Sequence, residues 1–430
     1  MSNNILKNEV DCTCGDFLAE VYGELPKPCA RAFGVLLSSA IGGGSALVKD
    51  ISAPLRLDGT PGESKRAQEM VSRWLGNYDL ESGMNPHLLS SGATGVGGGT
   101  SLAVDFSDIS KEFGGEGMEG MELGWDGSRH CKAMGHDFIC VSVVGAGVRE
   151  ALPLYAKLGM GRHSKGELLD GAIAAVMEAT GGKGRLVCDR GMDSAEFIWK
   201  LKDGGRDAVV RVNKIDRDVF GDGSRIDDAL KAEPFSKARL MTYRGRIKVR
   251  LRWRAGSVLY SEEPNKRGGI DHEAKVLVVE SRFDGKSLYL YAICPDDVLS
   301  DSEATRCLAA HAAQAYLDRW QIETSFQTVK QEFSLEKARV RTFRRLKNIF
   351  ALCMLAYVFM ARHLRESARF KKIVKALGDN LGQLTASTHA LLAGIRALYG
   401  EPTIRNMPGR PKKRTFGDTP LLPFFEAAMA

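Results

Sequence analysis

The sequence predicts a mixed α/β fold, with a sheet of parallel and antiparallel strands in the middle of the chain and helical regions on both sides of it. Three observations lead to this prediction. Short apolar strands alternate with helical segments in residues 101–212, period-two alternation dominates residues 213–300, and helical periodicity returns after residue 300. The 430 residues, 44% hydrophobic and 26% charged, are typical of a globular protein of two or three domains.

The first hundred residues are predicted to be mostly helical, with clear periodicity at residues 64–75. The Gly-rich stretch at residues 90–101 lacks the Lys-Ser/Thr pair of a phosphate-binding loop, and it precedes a strand instead of following one. We therefore expect a flexible linker at this point of the chain.

Residues 101–212 contain the predicted elements of the main sheet. Strands are expected at 102–104, 137–144, 185–188 and 208–212, and helices at 167–180 and 194–201. Asp105 and Asp189 each come directly after an apolar strand, where a carboxylate emerges from a sheet into a cleft. The succession of strand, helix and strand indicates a mixed sheet.

A basic strand is predicted at residues 246–254, which alternate with period two. One face carries Arg246, Lys248, Arg250, Arg252 and Arg254, and the other carries Ile247, Val249, Leu251 and Trp253. Two interpretations stay open for the cationic face: contact with the phosphates of a nucleic acid, or a solvated outer face. Further on, Asp284-Gly285 between two alternating runs predicts a type I′ hairpin.

The charge of the chain is unevenly distributed. The net charge is +7, but residues 337–414 hold 18 Lys and Arg and three acidic residues, a net of +15, which leaves −8 elsewhere. This asymmetry indicates a polyanionic partner for the C-terminal third. The tail contains Gly409-Arg410-Pro411, which resembles the core of an AT-hook and would place Arg410 in a minor groove. A nonspecific basic linker is the alternative.

A transmembrane helix and a disulfide framework are not expected. The longest apolar run, residues 349–361, has 13 residues, which is too short to span a bilayer and fits a buried core helix. The N-terminus lacks the pattern of a signal peptide, so a cytoplasmic protein is expected. The nine cysteines are scattered and odd in number, which favours reduced thiols over disulfides or a zinc site.

One predicted helix carries a carboxylate, two cations and a phenol on a narrow stripe. Relative to Glu323, Tyr316 lies at about +20°, Arg319 at about −40° and Lys330 at about −20°, at 100° per residue. Alone, this stripe could be a solvated helix face with Arg319–Glu323 pairing. Together with Asp105 and Asp189, however, Glu323 completes three carboxylates that could hold two hard divalent ions, preferably Mg²⁺. Arg190, Arg319 and Lys330 would then neutralise a nucleic acid strand that is being cut.

The tract from Tyr316 to Lys330 matches the pattern Y-x2-R-x3-E-x6-K and resembles the DDE transposases of the "insertion sequence four" group. The resemblance covers roughly residues 100–365. It implies a ribonuclease-H-like catalytic core interrupted by a β-rich insertion, and cut-and-paste DNA transposition, often through a hairpin on the transposon end. It also implies Mg²⁺ as cofactor with Mn²⁺ able to substitute, double-stranded DNA as partner at inverted repeats and target, a homodimer on DNA, and association with a bacterial nucleoid.

Carried over residue by residue, the resemblance makes Asp105, Asp189 and Glu323 the metal-binding triad and gives Tyr316, Arg319 and Lys330 contacts with phosphates. Further DNA contacts are expected from Arg190, Arg250, Arg252, Arg344 and Arg410. Asp108 competes with Asp105, which is preferred because it directly follows the apolar strand. Asp193 is interpreted as a helix N-terminal acid, and Trp253 as a core residue in preference to a residue that stacks on a flipped base.

The predicted organisation is a helical N-terminal region (1–100), the first part of the core (101–212), a β-rich insertion (213–300), the rest of the core (301–370) and a basic C-terminal region (371–430). Three alternatives to an active transposase remain at this stage. They are a DNA-binding protein of the same lineage without catalysis, a structure-specific nuclease on the same fold, and a small-molecule hydrolase, which would leave the charge of +15 unexplained.

Overall fold

The computed structural model describes residues 16–366, apart from 18, 22–25, 56–60, 112–116, 127–129, 147–149, 162–164, 243–244 and 263–271. The helices are α1 (Lys27–Gly43), α2 (Val48–Ile51), α3 (Pro61–Asn77), α4 (Glu81–Gly92), α5 (Lys165–Ala179), α6 (Ala195–Asp203), α7 (Ile226–Ala229), α8 (Asp296–Ser300), α9 (Ser302–Asp318), α10 (Trp320–Gln327) and α11 (Phe343–Glu366). The strands are β1 (Ser101–Ser110), β2 (Glu122–Asp126), β3 (Cys131–Val144), β4 (Leu152–Leu158), β5 (Arg185–Cys188), β6 (Ala208–Arg211), β7 (Ser236–Thr242), β8 (Gly245–Tyr260), β9 (His272–Phe283) and β10 (Lys286–Ile293).

These ten strands form one sheet, and its mixture of parallel and antiparallel pairs agrees with the mixed sheet predicted for residues 101–212. Its order is β2-β3-β1-β5-β6-β10-β9-β8-β7, and β4 also pairs with β3. Strands β1, β5 and β6 are parallel, and the other neighbours are antiparallel. Helix α6 connects the parallel strands β5 and β6, which need a crossover of this kind because a tight turn cannot join them.

Helices cover both faces of the central strands, and this explains why those strands are almost continuously apolar. On one face Leu186 and Val210 pack in a cluster with residues of α5 and α6. On the other face Val187 and Val209 pack with Ala309 and other residues of α9. The central sheet is therefore the middle layer of three, and polar side chains reach solvent only at its ends and edges.

Helix α11 forms the centre of a second core together with α1, α3 and α10. All of residues 349–361 are buried, as the sequence predicts for this apolar run. No helix in the described part of the chain is long and apolar enough to cross a membrane. The tail that contains Arg410 lies outside the described residues.

Strands β7 to β10 continue the sheet beyond β6, to which β10 is paired. The β9–β10 turn has φ of 48° at Asp284 and 75° at Gly285, so the two positive φ values predicted for a type I′ turn are confirmed. Apolar residues of β7 and β8, including Leu240 and Leu251, pack against Ala313 of α9. Trp253 packs against the same cluster, which agrees with its interpretation as a core residue.

Two local predictions differ from the structure. Strand β1 does not end at Asp105 but continues to Ser110, because all ten of its residues pair with β3. The Gly-rich stretch is only partly an open connection: Ser90–Gly92 complete α4, and Ala93–Gly95 form a 3₁₀ turn. The glycines that the linker prediction relied on are concentrated in the few residues between this turn and β1.

Candidate active site

The register of the parallel strands brings Asp105 and Asp189 to the same level of the sheet. Val104 of β1 is the partner of Cys188, which is the last residue of β5. The next residue of each strand is therefore an aspartate, on neighbouring strands about 4.8 Å apart. Asp189 follows the end of β5, so its side chain lies at the carboxyl edge of the sheet.

Helix α10 is fixed beside these aspartates by its apolar side. Ile322 and Phe326 are buried in one cluster with Ala103, two residues before Asp105 on the same strand. The Phe326 ring also contacts Phe138 of β3 edge to face, with ring centroids 5.1 Å apart. Packing of this apolar side leaves Glu323 at the edge of the helix, next to the strand that carries Asp105.

Arg319, between α9 and α10, joins the three carboxylates. Its Nη1 donates to Asp105 Oδ2 at 2.6 Å, and its Nη2 donates to Glu323 Oε1 at 2.7 Å. Nη2 also lies 3.9 Å from Asp189 Oδ1. Three chain segments thus bring Asp105, Asp189 and Glu323 together around one guanidinium, at the positions that the sequence predicts. We call these three side chains the carboxylate cluster. The Arg319–Glu323 pairing that belongs to the alternative interpretation, a solvated helix face, is also present, but Arg319 is buried.

Tyr316 and Arg211 complete the surroundings of Asp189. The Tyr316 hydroxyl donates to Asp189 Oδ1 at 2.9 Å, and Arg211 Nη1 donates to the same hydroxyl at 3.4 Å. The Arg319 guanidinium stacks over the Tyr316 ring, 5.4 Å from its centroid. Sequence analysis missed Arg211, although a signal existed: it lies at the carboxyl end of an apolar strand, as Asp189 does.

The three carboxylates differ in exposure, and the pKa values of Asp105 and Asp189 are shifted in opposite directions. The side chain of Asp105 is 16% exposed, that of Asp189 is 30% exposed and that of Glu323 is 59% exposed. Burial raises the pKa of Asp105 to about 6, against the opposing effect of the Arg319 charge. Burial would also raise the pKa of Asp189, but Arg319 and the Arg190 N–H outweigh it, so this pKa lies below its usual value.

Lys330 lies apart from the carboxylate cluster. It belongs to a π-helical turn, Thr328–Glu332, which displaces it from the regular stripe that the sequence predicts. Its Nζ lies 3.1 Å from Asp108 Oδ1 and 3.4 Å from Glu336 Oε1. Asp108, the competitor of Asp105, therefore has a lysine partner and does not contact Arg319.

Asp193 is not the helix N-terminal acid that the sequence analysis expects. Ser194 is the N-cap of α6, since its side chain accepts from the Phe197 N–H. The Asp193 carboxylate is buried and accepts from the N–H groups of Asn213 and Lys214 and from Arg217. It thus holds the segment after β6, including the neighbourhood of Arg211.

The other predicted DNA contacts lie in different environments. Arg190, Arg250 and Arg344 are exposed. Arg252 is 8% exposed, and its Nε donates to the buried carboxylate of Glu280 at 2.5 Å. Sequence analysis left open whether the cationic face of β8 contacts phosphates or is solvated, and the structure instead pairs Arg252 with Glu280, which lies opposite it on β9.

Two more polar residues that sequence analysis missed hold the elements of the site in place. Gln321 exchanges hydrogen bonds with the backbone of Gly145, between its Nε2 and the carbonyl at 2.8 Å and between its Oε1 and the N–H at 3.3 Å. Lys111 is buried and donates to the carbonyls of Leu335, Glu336 and Ala338. These contacts tie α10 and the segment after it to the sheet.

The donors of the carboxylate cluster fit a hard divalent cation in chemistry. All three are carboxylates, which Mg²⁺ and Mn²⁺ accept as ligands, and they already surround one positive group. At present Arg319 lies between these carboxylates. In the described part of the chain, no group of three or more His, Cys, Asp or Glu side chains is arranged to hold a metal ion. A metal would require the guanidinium to move aside.

Residues 162–359 match the family model described as the transposase DDE domain. The matched segment contains Asp189, Tyr316, Arg319 and Glu323; Asp105 precedes it. No match to a curated protein was found. The family match supports a DDE transposase, an enzyme of the nuclease and transposase type with DNA as its partner.

Proposed function

We propose that this protein is a transposase of the "insertion sequence four" group that cleaves DNA strands at the ends of an insertion sequence and transfers them to a target. The observation that carries the proposal is the arrangement around Arg319. Three carboxylates from distant parts of the chain lie within 2.6–3.9 Å of its two terminal nitrogens. A structural ion pair needs one carboxylate per arginine, whereas phosphoryl transfer needs a concentrated negative site for divalent ions.

The fold is consistent with the proposal. The order β4-β3-β1-β5-β6, with β1, β5 and β6 parallel and β3 and β4 antiparallel, is compatible with a ribonuclease-H-like core. Strands β7 to β10 and α8 separate this part from α9, at the place where the proposed β-rich insertion falls. We retain residues 1–100 and 371–430 as proposed regions for recognition of DNA.

Asp105, Asp189 and Glu323 would hold Mg²⁺, or Mn²⁺ in its place. When bound, such ions stabilise the attacking and leaving oxygens of an in-line displacement at phosphorus. Asp105 and Asp189 are fixed by the sheet, and Glu323 on α10 is the most exposed of the three, so it is the carboxylate best able to adjust.

The cations would hold the DNA strand that is cut. In this proposal the Arg319 guanidinium leaves the carboxylates and binds a phosphate, since a guanidinium binds carboxylate and phosphate in the same bidentate manner. Tyr316 and Arg211 would orient Asp189, and Arg190 would meet the backbone at the exposed side. Lys330 keeps its proposed phosphate contact, for which it must release Asp108.

The test is cleavage of a linear DNA that carries the native flanking repeat, in Mg²⁺ or in EDTA, with Asp189→Ala in parallel. We expect Mg²⁺-dependent nicks at the repeat boundary with the natural protein and none with the variant. Denaturing electrophoresis of the products separates hairpin ends from open ends. Binding to the repeat without cleavage under Mg²⁺ and Mn²⁺ would overturn the catalytic proposal, and cleavage without preference for the boundary would indicate a structure-specific nuclease.

A further inference from the structure

The three outer strands carry a second charged surface, away from the carboxylate cluster. The pairing registers place Lys237, Arg250 and Arg282 directly opposite one another across β7, β8 and β9. Arg239 and Lys248 form the next row, two residues along. These five cations line one groove of about 550 Å³, which we call the basic face; Asp284 and Gly285 of the β9–β10 turn also line it.

The cations of the basic face have no carboxylate partners in the described part of the chain. Among the residues that the structure describes, none of the five forms an ion pair with a carboxylate, and Arg282 Nε is buried without a hydrogen-bond acceptor. Like charges directly opposite each other destabilise paired strands. A surface that places three cations in one row is therefore incomplete without an anion.

The neighbouring residues of the same strand show the contrast. Arg252 is paired with Glu280, and Arg254 lies 3.8 Å from Asp222 and over the ring of Phe220. The charges of β8 at Arg252 and Arg254 are thus neutralised by carboxylates of the chain. The charges nearer the β9–β10 turn, at Lys248 and Arg250, have no such carboxylate among the described residues. Arg250 lies over the ring of Phe235, with its guanidinium carbon 5.1 Å from the ring centroid, and remains exposed.

The basic face is separate from the carboxylate cluster. The registers place Cys188 level with Arg254, four strands away, and Arg250 lies four residues further toward the carboxyl end of β5. At about 4.8 Å per strand and about 3.3 Å per residue, the two sites are roughly 20 Å apart. The side chains of the basic face also lie on the face of the sheet opposite α9, since alternate residues of β8 such as Leu251 pack on α9.

We propose that the basic face binds the phosphate backbone of duplex DNA at a position distinct from the strand that is cut. Rows of cations two residues apart present a plane of positive charge, which suits an extended polyanion better than a single small anion. Roughly 20 Å corresponds to about six base pairs of duplex at 3.4 Å each, so one DNA molecule that passes the carboxyl edge of β5 could reach both sites. The inference rests on the proposed function for the identity of the partner, but its test does not require cleavage.

The test is the salt dependence of binding to a random-sequence duplex of about 40 base pairs, without Mg²⁺, because backbone contacts do not depend on sequence. The variant Lys248→Gln with Arg250→Gln should bind on the order of tenfold more weakly, and the slope of log K against log salt should fall by about two. A second variant on another strand, Lys237→Gln with Arg239→Gln, should have the same effect. All four side chains are exposed, so both variants should fold.

The matched control is Lys157→Gln with Lys183→Gln. These lysines are also exposed, and Lys183 lies before β5, at the opposite end of the strand from Asp189. The control makes the same change in net charge, and we expect its slope to equal that of the natural protein. Slopes that are unchanged in both basic-face variants, or that fall equally in the control, would overturn the inference. If the salt slopes of the basic-face variants fall as expected but the natural protein does not cleave repeat DNA, this inference stands and the proposed catalytic function is rejected.

Discussion

The carboxylate cluster and the basic face each hold several like charges close together, but they differ in how these charges are compensated. At the cluster, three carboxylates converge on Arg319, which is itself only 7% exposed. At the basic face, five cations converge on a groove, and no carboxylate in the described part of the chain pairs with them. The first region is balanced by Arg319 of the same chain, whereas in our proposal the phosphates of DNA balance the second.

This difference separates residues that the fold requires from residues that only a partner requires. Removal of one member of a buried, balanced set leaves an unpaired charge, so it affects stability as well as any activity. Removal of an exposed, unbalanced cation relieves repulsion within the protein and weakens only the binding of the partner. Stability measurements beside activity measurements can therefore distinguish the two classes of residue.

The largest effect is expected for Glu323→Gln. Glu323 is the most exposed carboxylate of the cluster, so loss of its charge should leave folding and DNA binding nearly unchanged. If it holds an ion that stabilises the transferring phosphate, cleavage should fall by at least about a thousandfold, or ~4 kcal/mol. Cleavage and binding of repeat DNA are measured side by side. Glu303→Gln, at the exposed start of α9, serves as the control, and loss of binding together with cleavage would make Glu323 a structural residue.

Arg319→Met should show the strongest effect on stability. The variant leaves Asp105 and Asp189 partly buried without the guanidinium between them, which should lower the free energy of unfolding by about 3 kcal/mol in urea at neutral pH. Mg²⁺ should then raise the stability of the variant more than that of the natural protein, because the cation would compensate the same charges.

Arg190→Met is the control for Arg319→Met, since Arg190 is exposed at the same edge of the sheet. We expect its stability to remain within about 0.5 kcal/mol of the natural protein. Equal stability of the Arg319→Met variant and the natural protein would show that the carboxylate cluster does not depend on compensation of its charges by Arg319. That result would contradict the contrast between the cluster and the basic face.

Arg252→Met and Arg250→Met test the boundary between balanced and unbalanced charge within one strand. Arg252 is paired with Glu280, which is 1% exposed, so its loss should lower stability by about 3 kcal/mol. Loss of Arg250 should change stability by less than about 0.5 kcal/mol, and the change should be a gain, because Lys237 and Arg282 lie opposite Arg250. Urea unfolding measures the free energy of unfolding of both variants. A similar decrease in the two would contradict the inference that Arg250 serves a binding partner.

Sequence patterns were sufficient to predict the parts of the site that depend on local order. Apolar strand residues directly before a carboxylate drew attention to Asp105 and Asp189, although β1 continues past Asp105. Helical spacing predicted that Tyr316, Arg319 and Glu323 lie near one another, although α9 ends at Asp318 and α10 begins at Trp320. The type I′ turn at Asp284-Gly285 followed from residue type alone. These features depend on a few consecutive residues, so a single sequence contains them.

Features that depend on pairing across the sheet could not be predicted. The burial of Arg252 requires Glu280, which is 28 residues later and lies opposite it only because of the β8–β9 register. Arg211 reaches Asp189 through the register of β5 and β6. The π-helical turn at Lys330 likewise has no signal in a pattern that assumes 3.6 residues per turn.

Asp318 offers the smallest effect and a contrast with the cluster, because it is a buried carboxylate whose donor is an amide. It is 4% exposed, and Gln314 Nε2 lies 3.1 Å from both of its oxygens. Burial raises its pKa to about 6, from 3.8. A raised carboxyl pKa contributes stability below about pH 4 that is lost as the pH rises through about 6.

Asp318→Asn should therefore stabilise the protein on the order of 2 kcal/mol at about pH 8, and the gain should disappear below about pH 3, where Asp318 is protonated in both the folded and the unfolded state. Asparagine can still accept the bond from Gln314, so packing is preserved. Urea unfolding across this pH range measures the difference, with Asp170→Asn on the exposed side of α5 as control. A gain that does not depend on pH would mean that ionisation of Asp318 is not its cause. The expected result would show that an ionised carboxylate destabilises this fold where none of the described residues provides a cation, one residue from the position where Arg319 provides it.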